Sequence, residues 1–437
     1  MLNRLLVIIS VLIIAVSCTS AKKAQKTDLE NSKPEWVLKK PISSSYYYGI
    51  GNANMNTHSK DFQQIAKNKA LEDLSSEIEV TIDAQSVLST KETSLSFIEN
   101  YQATTRIDVK NNLSEFEAVE SWVNENEYWV LYRLSKSRYQ ELEAERKNKA
   151  INEALHFLNE SDKALTYKLQ FEYLLQGLDA IKSYLNDPLK TERNSQTIYL
   201  GNYILSSINS RLSKLKLIKA KNSLLLNWNN CFTEEATFSL QYNDIPVEDI
   251  PVRVKYNSYA SQKMISDENG FVKYEAKANY YDDLPTKMDA WIYTSDLIKD
   301  PLIAELFEKE YSPVYMDVNL DKPYVFVNTS RDRGAFQEII EKAGAKISPD
   351  SASADIYLDA RFKTVSVGKS NDFYTSSCSI EMKVYNSDHE LIEKKIWPEV
   401  KGVHTNKLSA DNKASENAVK QIKYTWIQKL IMEHCRD

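Results

Sequence analysis

A short apolar run, Leu5–Val16, lies near the start of the chain, behind the single positive charge of Arg4. A helix that spans a bilayer needs about 20 apolar residues, so this run is too short to cross a membrane. A basic start, a short apolar core and then small residues are the parts of a secretory signal, in that order. The sequence therefore predicts a signal peptide over residues 1–17, and it predicts that the rest of the chain folds outside the cytoplasm.

The four residues Ala15-Val16-Ser17-Cys18 resemble the lipobox of bacterial lipoproteins. The resemblance implies that Cys18 becomes the first residue of the mature chain and carries the lipid that anchors it. Stable anchoring takes two or more acyl chains, which the resemblance also implies. Thr19 rather than Asp follows the cysteine, and in similar lipoproteins this accompanies retention in the outer membrane. Lys22 and Lys23 follow in place of the acidic cluster that resembles a surface-export tag, so we expect the protein to face the periplasm. The alternative is an ordinary signal peptide with an incidental cysteine.

Composition excludes some classes of protein. A length of 437 residues predicts two to four domains. The net charge of −6 argues against a nucleic-acid partner, which would need a basic stripe.

Beyond Cys18, the cysteines are Cys231, Cys378 and Cys435, and their wide spacing has no metal-binding pattern. At most one disulfide can form among these three, and we expect buried or unpaired thiols instead.

The polar, lysine-rich residues 18–33 predict a flexible, lipidated tether. An α+β domain is predicted for residues 34–135. Its first strand contains Tyr46-Tyr47-Tyr48 and runs into a turn at the glycines Gly49 and Gly51.

A helix over about 59–79 follows this strand, because apolar residues recur there at three- and four-residue steps. Asp73 and Glu77 fall off that apolar stripe, so we expect them in solvent. Alternating or aromatic-rich patterns predict three further strands, at 80–88, 101–113 and 127–134.

Four segments of this region together suggest a family. They are "KPEWV", "YYYGIGNA", "AKNKALEDLSSEIEV" and "YWVLYRLSKSRYQEL". Residues 34–145 resemble, through these segments, the Lpp-twenty-type bacterial lipoprotein domain family. The resemblance implies a membrane-associated lipoprotein domain with no assigned catalysis.

Three more regions complete a multidomain α+β chain. Residues 136–225 predict a helical hairpin that serves as a spacer or as a partner-binding coil, with its last helix over about 192–221. Short alternating strands over 231–320 predict a small β-sandwich, similar to transthyretin- or immunoglobulin-like modules. Residues 322–437 predict a two-layer α+β domain.

The search for chemistry yields no catalytic, cofactor-binding or metal-binding residue. The five histidines lie far apart and lack the spacing of a metal site: His58, His156, His389, His404 and His434. No nucleophile elbow and no Walker loop appears. Five tyrosines form a tentative ligand surface that could stack on sugars or peptide, unless they are half-buried strand residues: Tyr46, Tyr47, Tyr48, Tyr280 and Tyr281.

These observations favour a non-enzymatic lipoprotein that acts as a periplasmic scaffold or envelope assembly factor. The partners expected are outer-membrane lipid through Cys18 and other envelope proteins or peptidoglycan, with no nucleic acid and no cofactor. One alternative is a glycan- or peptidoglycan-binding lipoprotein. Another is a hydrolase whose site is dispersed over several domains.

Overall fold

The computed structural model describes residues 33–58, 60–78, 86–90, 95–256, 260–281 and 287–435. The predicted signal peptide, Cys18 and nearly all of the predicted tether lie outside the described residues. The described chain is mixed α+β, as predicted, and divides into two compact units. The first unit contains the residues up to Ser210 and also Asp300–Phe307, and the second contains Arg211–Lys299 and the residues from Glu308 onward.

The first unit opens with a three-stranded antiparallel sheet in the order β1–β3–β2. Its strands are β1 Tyr46–Asn54, β2 Glu117–Val123 and β3 Glu127–Ser135. The accompanying helices are α1 Glu35–Leu38, α2 Phe62–Glu77, α3 Val87–Thr90 and α4 Leu95–Asn112. Helix α2 packs through Ala66, Ala70 and Leu74, which recur at four-residue steps and are fully buried.

One strand predicted for this domain is wrong, and a second is wrong at its end. Residues 101–112 belong to α4, because Phe97, Tyr101 and Thr105 are buried at the four-residue spacing of a helix. Val87 and Leu88, at the end of the predicted strand 80–88, lie in α3, and residues 80–85 lie outside the described part of the chain. Strand β2 was not predicted.

The rest of the first unit is mainly helical. Its main helices are α5 Lys136–Lys163, α6 Tyr167–Ala180 and α7 Leu200–Lys214, and the last turn of α7, from Arg211, is counted with the second unit. A hairpin of β4 Lys190–Arg193 and β5 Gln196–Tyr199 precedes α7. The side chains of Ser135 and Thr166 accept amide hydrogen bonds at the starts of α5 and α6.

The helix predicted over 192–221 is wrong at both ends. The β4–β5 hairpin occupies its start, where Asn194 and Ser195 form the turn with φ of 50° and 63°. Strand β6, Leu215–Lys219, occupies its end.

Two sheets lie where the sequence predicts a small sandwich. Their order is β11–β10–β13–β14–β7 in one sheet and β12–β8–β6 in the other, with β9 paired to β8. The strands are β7 Ser223–Leu226, β8 Thr233–Tyr242, β9 Ile245–Pro246, β10 Pro251–Lys255, β11 Gln262–Ile265, β12 Phe271–Lys277, β13 Lys287–Tyr293 and β14 Glu310–Leu320. The short helix α8 Thr294–Leu297 follows β13, and α9 Pro301–Ala304 belongs to the first unit. The assignment to a transthyretin- or immunoglobulin-like module stays a prediction.

The second unit ends with a five-stranded sheet in the order β16–β15–β17–β18–β19. Its elements are β15 Tyr324–Thr329, α10 Arg333–Lys342, β16 Lys346–Ile347, β17 Ile356–Ser370, β18 Phe373–Asn386, β19 Leu391–His404, α11 Lys407–Val419 and α12 Tyr424–His434. Gly402 permits α11 to approach β19, since a Cβ there would lie 2.1 Å from the Ala414 amide nitrogen. Within the described residues, no helix combines the length and apolar composition needed to cross a membrane.

Candidate functional site

The tyrosines that open β1 alternate between the two faces of the first sheet. Tyr47 packs in the cluster around Leu134, and its ring meets that of Tyr139 edge-on with 6.0 Å between centroids. Tyr46 and Tyr48 lie on the opposite face, with ring centroids 6.4 Å apart. The first sheet therefore presents Tyr46 and Tyr48 on one surface but not Tyr47.

Helix α2 lies close to β1 because β1 has glycines, Gly49 and Gly51, at the positions that face the helix. A Cβ at Gly51 would lie 1.9 Å from the carbonyl oxygen of Ala66, and one at Gly49 would lie 2.1 Å from that of Ala70. Both distances are far below van der Waals contact. The two glycines therefore lie within the strand to allow a close approach, whereas the sequence interpretation placed them at the strand's end.

Side chains from α2 occupy the free edge of β1. The amide of Tyr48 donates to Oε2 of Glu77 at 3.0 Å, and the amide of Ile50 donates to Oδ2 of Asp73 at 2.8 Å. Lys40 Nζ lies 2.9 Å from the Asp73 oxygen and 3.3 Å from the Glu77 oxygen. Unpaired edge amides invite another strand, so these carboxylates take the place of a neighbouring strand. The expectation that both carboxylates lie in solvent is confirmed only in part, because they stay partly exposed but also bind these backbone amides.

On the outer face of the sheet, a lysine covers two indole rings. Lys33 Nζ lies 5.7 Å from the ring centroid of Trp122 and 5.3 Å from that of Trp129. The same ammonium group is 2.9 Å from Oε2 of Glu127. This hydrogen bond holds the pKa of Glu127 below its ordinary value. The cluster is a cation–π site whose cation is already paired.

The same arrangement recurs at Tyr46. The guanidinium carbon of Arg133 lies 4.6 Å from the centroid of the Tyr46 ring, while its Nε donates to Oε1 of Glu117 at 2.6 Å. The carboxylate raises the pKa of Arg133 above its usual value. A sugar that stacked on these rings would compete with the protein's own cations.

A surface pocket of about 560 Å³ lies in the first unit. Its lining residues are Pro34, Glu35, Trp36, Lys39, Lys40, Pro41, Ile42 and Glu120. The lining contains two ammonium groups and two carboxylates around an indole and two proline rings, and one of the ammonium groups, that of Lys40, is already paired with Asp73 and Glu77. Such a mixed lining suits a short peptide segment better than an isolated anion.

The other two tyrosines of the predicted ligand surface belong to the second unit. Tyr280 is fully buried, and burial raises its pKa. Its ring meets that of the exposed Tyr281 edge-on, with 5.2 Å between centroids. Within the first unit, Tyr46 and Tyr48 share one face of the sheet, whereas the partly buried Tyr47 packs on the other. Within the second unit, only Tyr281 of its two tyrosines is exposed.

The cysteines differ from the expectation of unpaired thiols. Cys231 and Cys435 form a disulfide that joins positions 204 residues apart, with their Cα atoms 5.1 Å apart. Cys378 is a buried free thiol in β18. The expectation is wrong for the first two, because folding brings the start of β8 and the end of α12 together. One feature of the sequence did favour a disulfide: the predicted signal peptide directs the chain to an oxidising compartment, where disulfides form and persist.

No group of three His, Cys, Asp or Glu side chains is arranged to hold a metal ion in the part of the chain that the structure describes. The second unit contains another pocket, of about 590 Å³, next to α10. Charged and apolar side chains mix in its lining: Asp332, Ala335, Glu338, Ile339, Lys342, Glu416, Val419, Lys420, Ile422, Lys423 and Tyr424. That the chain is not an enzyme stays a prediction.

No protein-family model matches this chain, and no curated protein matches it. Sixteen chains of solved structures do match. A candidate lipoprotein from Caulobacter crescentus CB15 is 13% identical, with a TM-score of 0.19, over 25% of this chain and 88% of that one. A minor lipoprotein from Acinetobacter baumannii is 10% identical, with a TM-score of 0.17, over 26% of this chain and 92% of that one.

The uncharacterized lipoprotein B from Nitrosomonas europaea is 9% identical, with a TM-score of 0.14, over 26% of this chain and 81% of that one. All three proteins are described as lipoproteins. The resemblance to the Lpp-twenty-type family stays a prediction.

Proposed function

We propose that this chain is a lipid-anchored protein of the bacterial outer membrane, held at Cys18, that acts in the periplasm as a non-enzymatic scaffold for other envelope proteins. The observation that supports the compartment best is the disulfide between Cys231 and Cys435. Disulfides persist in oxidising compartments and are rare in the cytosol. The apolar run Leu5–Val16 and the cysteine after it favour the same compartment.

Burial shifts the pKa of several tyrosines in this chain. Burial raises the pKa of Tyr101, Tyr184 and Tyr256 to about 12 each. These phenols stay neutral near pH 7, so none of them is poised as a base there. Tyr101 instead donates a buried hydrogen bond to Oδ1 of Asn186 at 2.9 Å.

The geometry favours a protein partner over a glycan. The rings of Trp122, Trp129 and Tyr46 are covered by Lys33 and Arg133. Stacking of sugars needs open ring faces, and exposing these would break two charge-paired contacts. The 560 Å³ pocket with its mixed lining can accept a peptide segment without such a cost.

Removing the acceptor cysteine tests the anchor. We expect the full chain expressed in a bacterium to incorporate an alkyne-labelled fatty acid and to fractionate with the outer membrane. Cys18→Ala should lose the label and leave the membrane fraction, because no acyl chain then holds it. Cys378→Ala is the matched control, since it also removes one cysteine but leaves position 18 intact. An unlabelled wild-type chain, or unchanged membrane fractionation of Cys18→Ala, contradicts the anchor.

Crosslinking in cells tests the scaffold role. A photo-crosslinking amino acid placed at Ile42, an exposed residue that lines the pocket, should form an adduct with another envelope protein. The control position is Leu165, which is equally exposed but lies between α5 and α6. We expect discrete adducts at Ile42 only, identified by mass spectrometry. Adducts to peptidoglycan alone, or identical adducts at both positions, contradict a protein-binding pocket.

A further inference from the structure

The β17–β18 hairpin ends in an exposed tip. A two-residue turn, Asn371-Asp372, joins the strands, and every residue from Val365 to Ser370 is exposed. Ile356 and Leu358, at the other end of β17, are buried in the sheet. The end of β17 from Val365 onward therefore buries much less of its side chains than the beginning of the strand does.

The tip carries an apolar patch, which we call the tip patch: Val365, Val367, Phe373 and Val403. These side chains are between 45% and 55% exposed. In the register of the sheet, Val365 lies opposite Ser377, and Val403 lies opposite Thr375, two residues from Phe373. Because side chains alternate along a strand, these three share one face across three neighbouring strands. Val367 lies at the bulge between Ser366 and Gly368.

Lysines flank the tip patch. Lys363 and Lys401 precede Val365 and Val403 by two residues, so they lie on the same face. Lys369 Nζ lies 5.0 Å from the ring centroid of Tyr374 on the other face. None of the three lysines forms a salt bridge with any residue that the structure describes. Two carboxylates, Asp372 and Glu399, lie nearby, so cations are in slight excess.

We propose that the tip patch docks on a phospholipid surface. A stable protein interface buries about 800 Å² on each partner, which four half-exposed side chains do not supply. A bilayer needs only a few apolar side chains at the acyl boundary with ammonium groups at headgroup level. This choice rests on the proposed function, because a lipid anchor would hold the tip near a membrane at high effective concentration.

Vesicle binding tests the proposal. The full chain with Cys18→Ala, which has no acylation site, is mixed with vesicles of phosphatidylethanolamine and phosphatidylglycerol and sedimented. We expect it to bind, and we expect Val367→Glu and Phe373→Glu each to lower the partition coefficient at least about fivefold. Ile396→Glu is the matched control, since Ile396 is 61% exposed on the same face of the sheet but away from the tip.

The outcomes separate the tip from the anchor. Equal binding by the tip variants and the Ile396 variant overturns the proposal, as does absence of vesicle binding by the Cys18→Ala parent. Dimers in solution that Phe373→Glu dissociates also overturn it, because the occupant would then be a second copy. Circular dichroism verifies that each variant is folded. Because the chain lacks Cys18, the result does not depend on acylation, which the fractionation experiment tests separately.

Discussion

Replacing Gly51 with alanine should destabilise the first unit by about 3 kcal/mol or more. The new Cβ would lie 1.9 Å from the Ala66 carbonyl oxygen and 2.5 Å from the Ala70 amide nitrogen, and both are backbone atoms of α2. The helix must move away from β1, and the buried cluster that includes Ala53 and Val130 then loses its packing. Hydrogen exchange on peptides from β1 and α2 should show the loss of protection, together with a lower urea midpoint.

Gly334→Ala is the control for this substitution. Gly334 lies in α10, and a Cβ there would meet no atom within 4 Å. Alanine is the better helix former by about 1 kcal/mol, so this variant should be as stable as the wild type or slightly more stable. If Gly51→Ala retained wild-type protection in β1 and α2, the close approach of helix and strand would be incorrect.

The elements predicted best from the sequence are those in which apolar residues recur at a regular spacing along the whole element. Helix α2 follows from Ala66, Ala70 and Leu74 at four-residue steps, and these side chains are the ones buried. Strand β17 follows from alternation that begins at Ile356 and Leu358. In both cases the local pattern and the packing agree, so no information from distant residues was needed.

Errors arose where local pattern and packing disagree. Ile107 and Val109 alternate with charged residues and favour a strand, yet α4 buries Phe97 and Tyr101 from its other end. Tertiary packing therefore overrides β propensity in this segment. At the β4–β5 hairpin a usable signal was present, because Asn194 readily adopts the positive φ that the turn requires.

The candidate site depended on contacts that no local pattern contains. Asp73 and Glu77 are recognisable from sequence as lying off the apolar stripe of α2. Only the packed helix shows that they reach the amides of Ile50 and Tyr48. The disulfide likewise joins positions 204 residues apart, so spacing alone could not pair its cysteines.

Removing the disulfide should lower the stability of the second unit by about 2–4 kcal/mol. We expect the Cys231→Ser, Cys435→Ser double variant to melt roughly 5–15 °C below the wild type. The reason is that the bond closes a very long loop, which restricts the unfolded chain, and that it ties the end of α12 to the start of β8. Differential scanning calorimetry of both proteins measures the shift.

Reductant supplies the control for the disulfide prediction. Dithiothreitol should lower the melting temperature of the wild type toward that of the double variant and leave the variant unchanged. Alkylation of the unfolded, unreduced chain should label Cys378 but neither Cys231 nor Cys435. If wild-type protein isolated from the periplasm instead gave alkylated Cys231 and Cys435, the bond would not form there. The cysteines would then no longer indicate an oxidising compartment, whatever the fate of the Cys18 anchor.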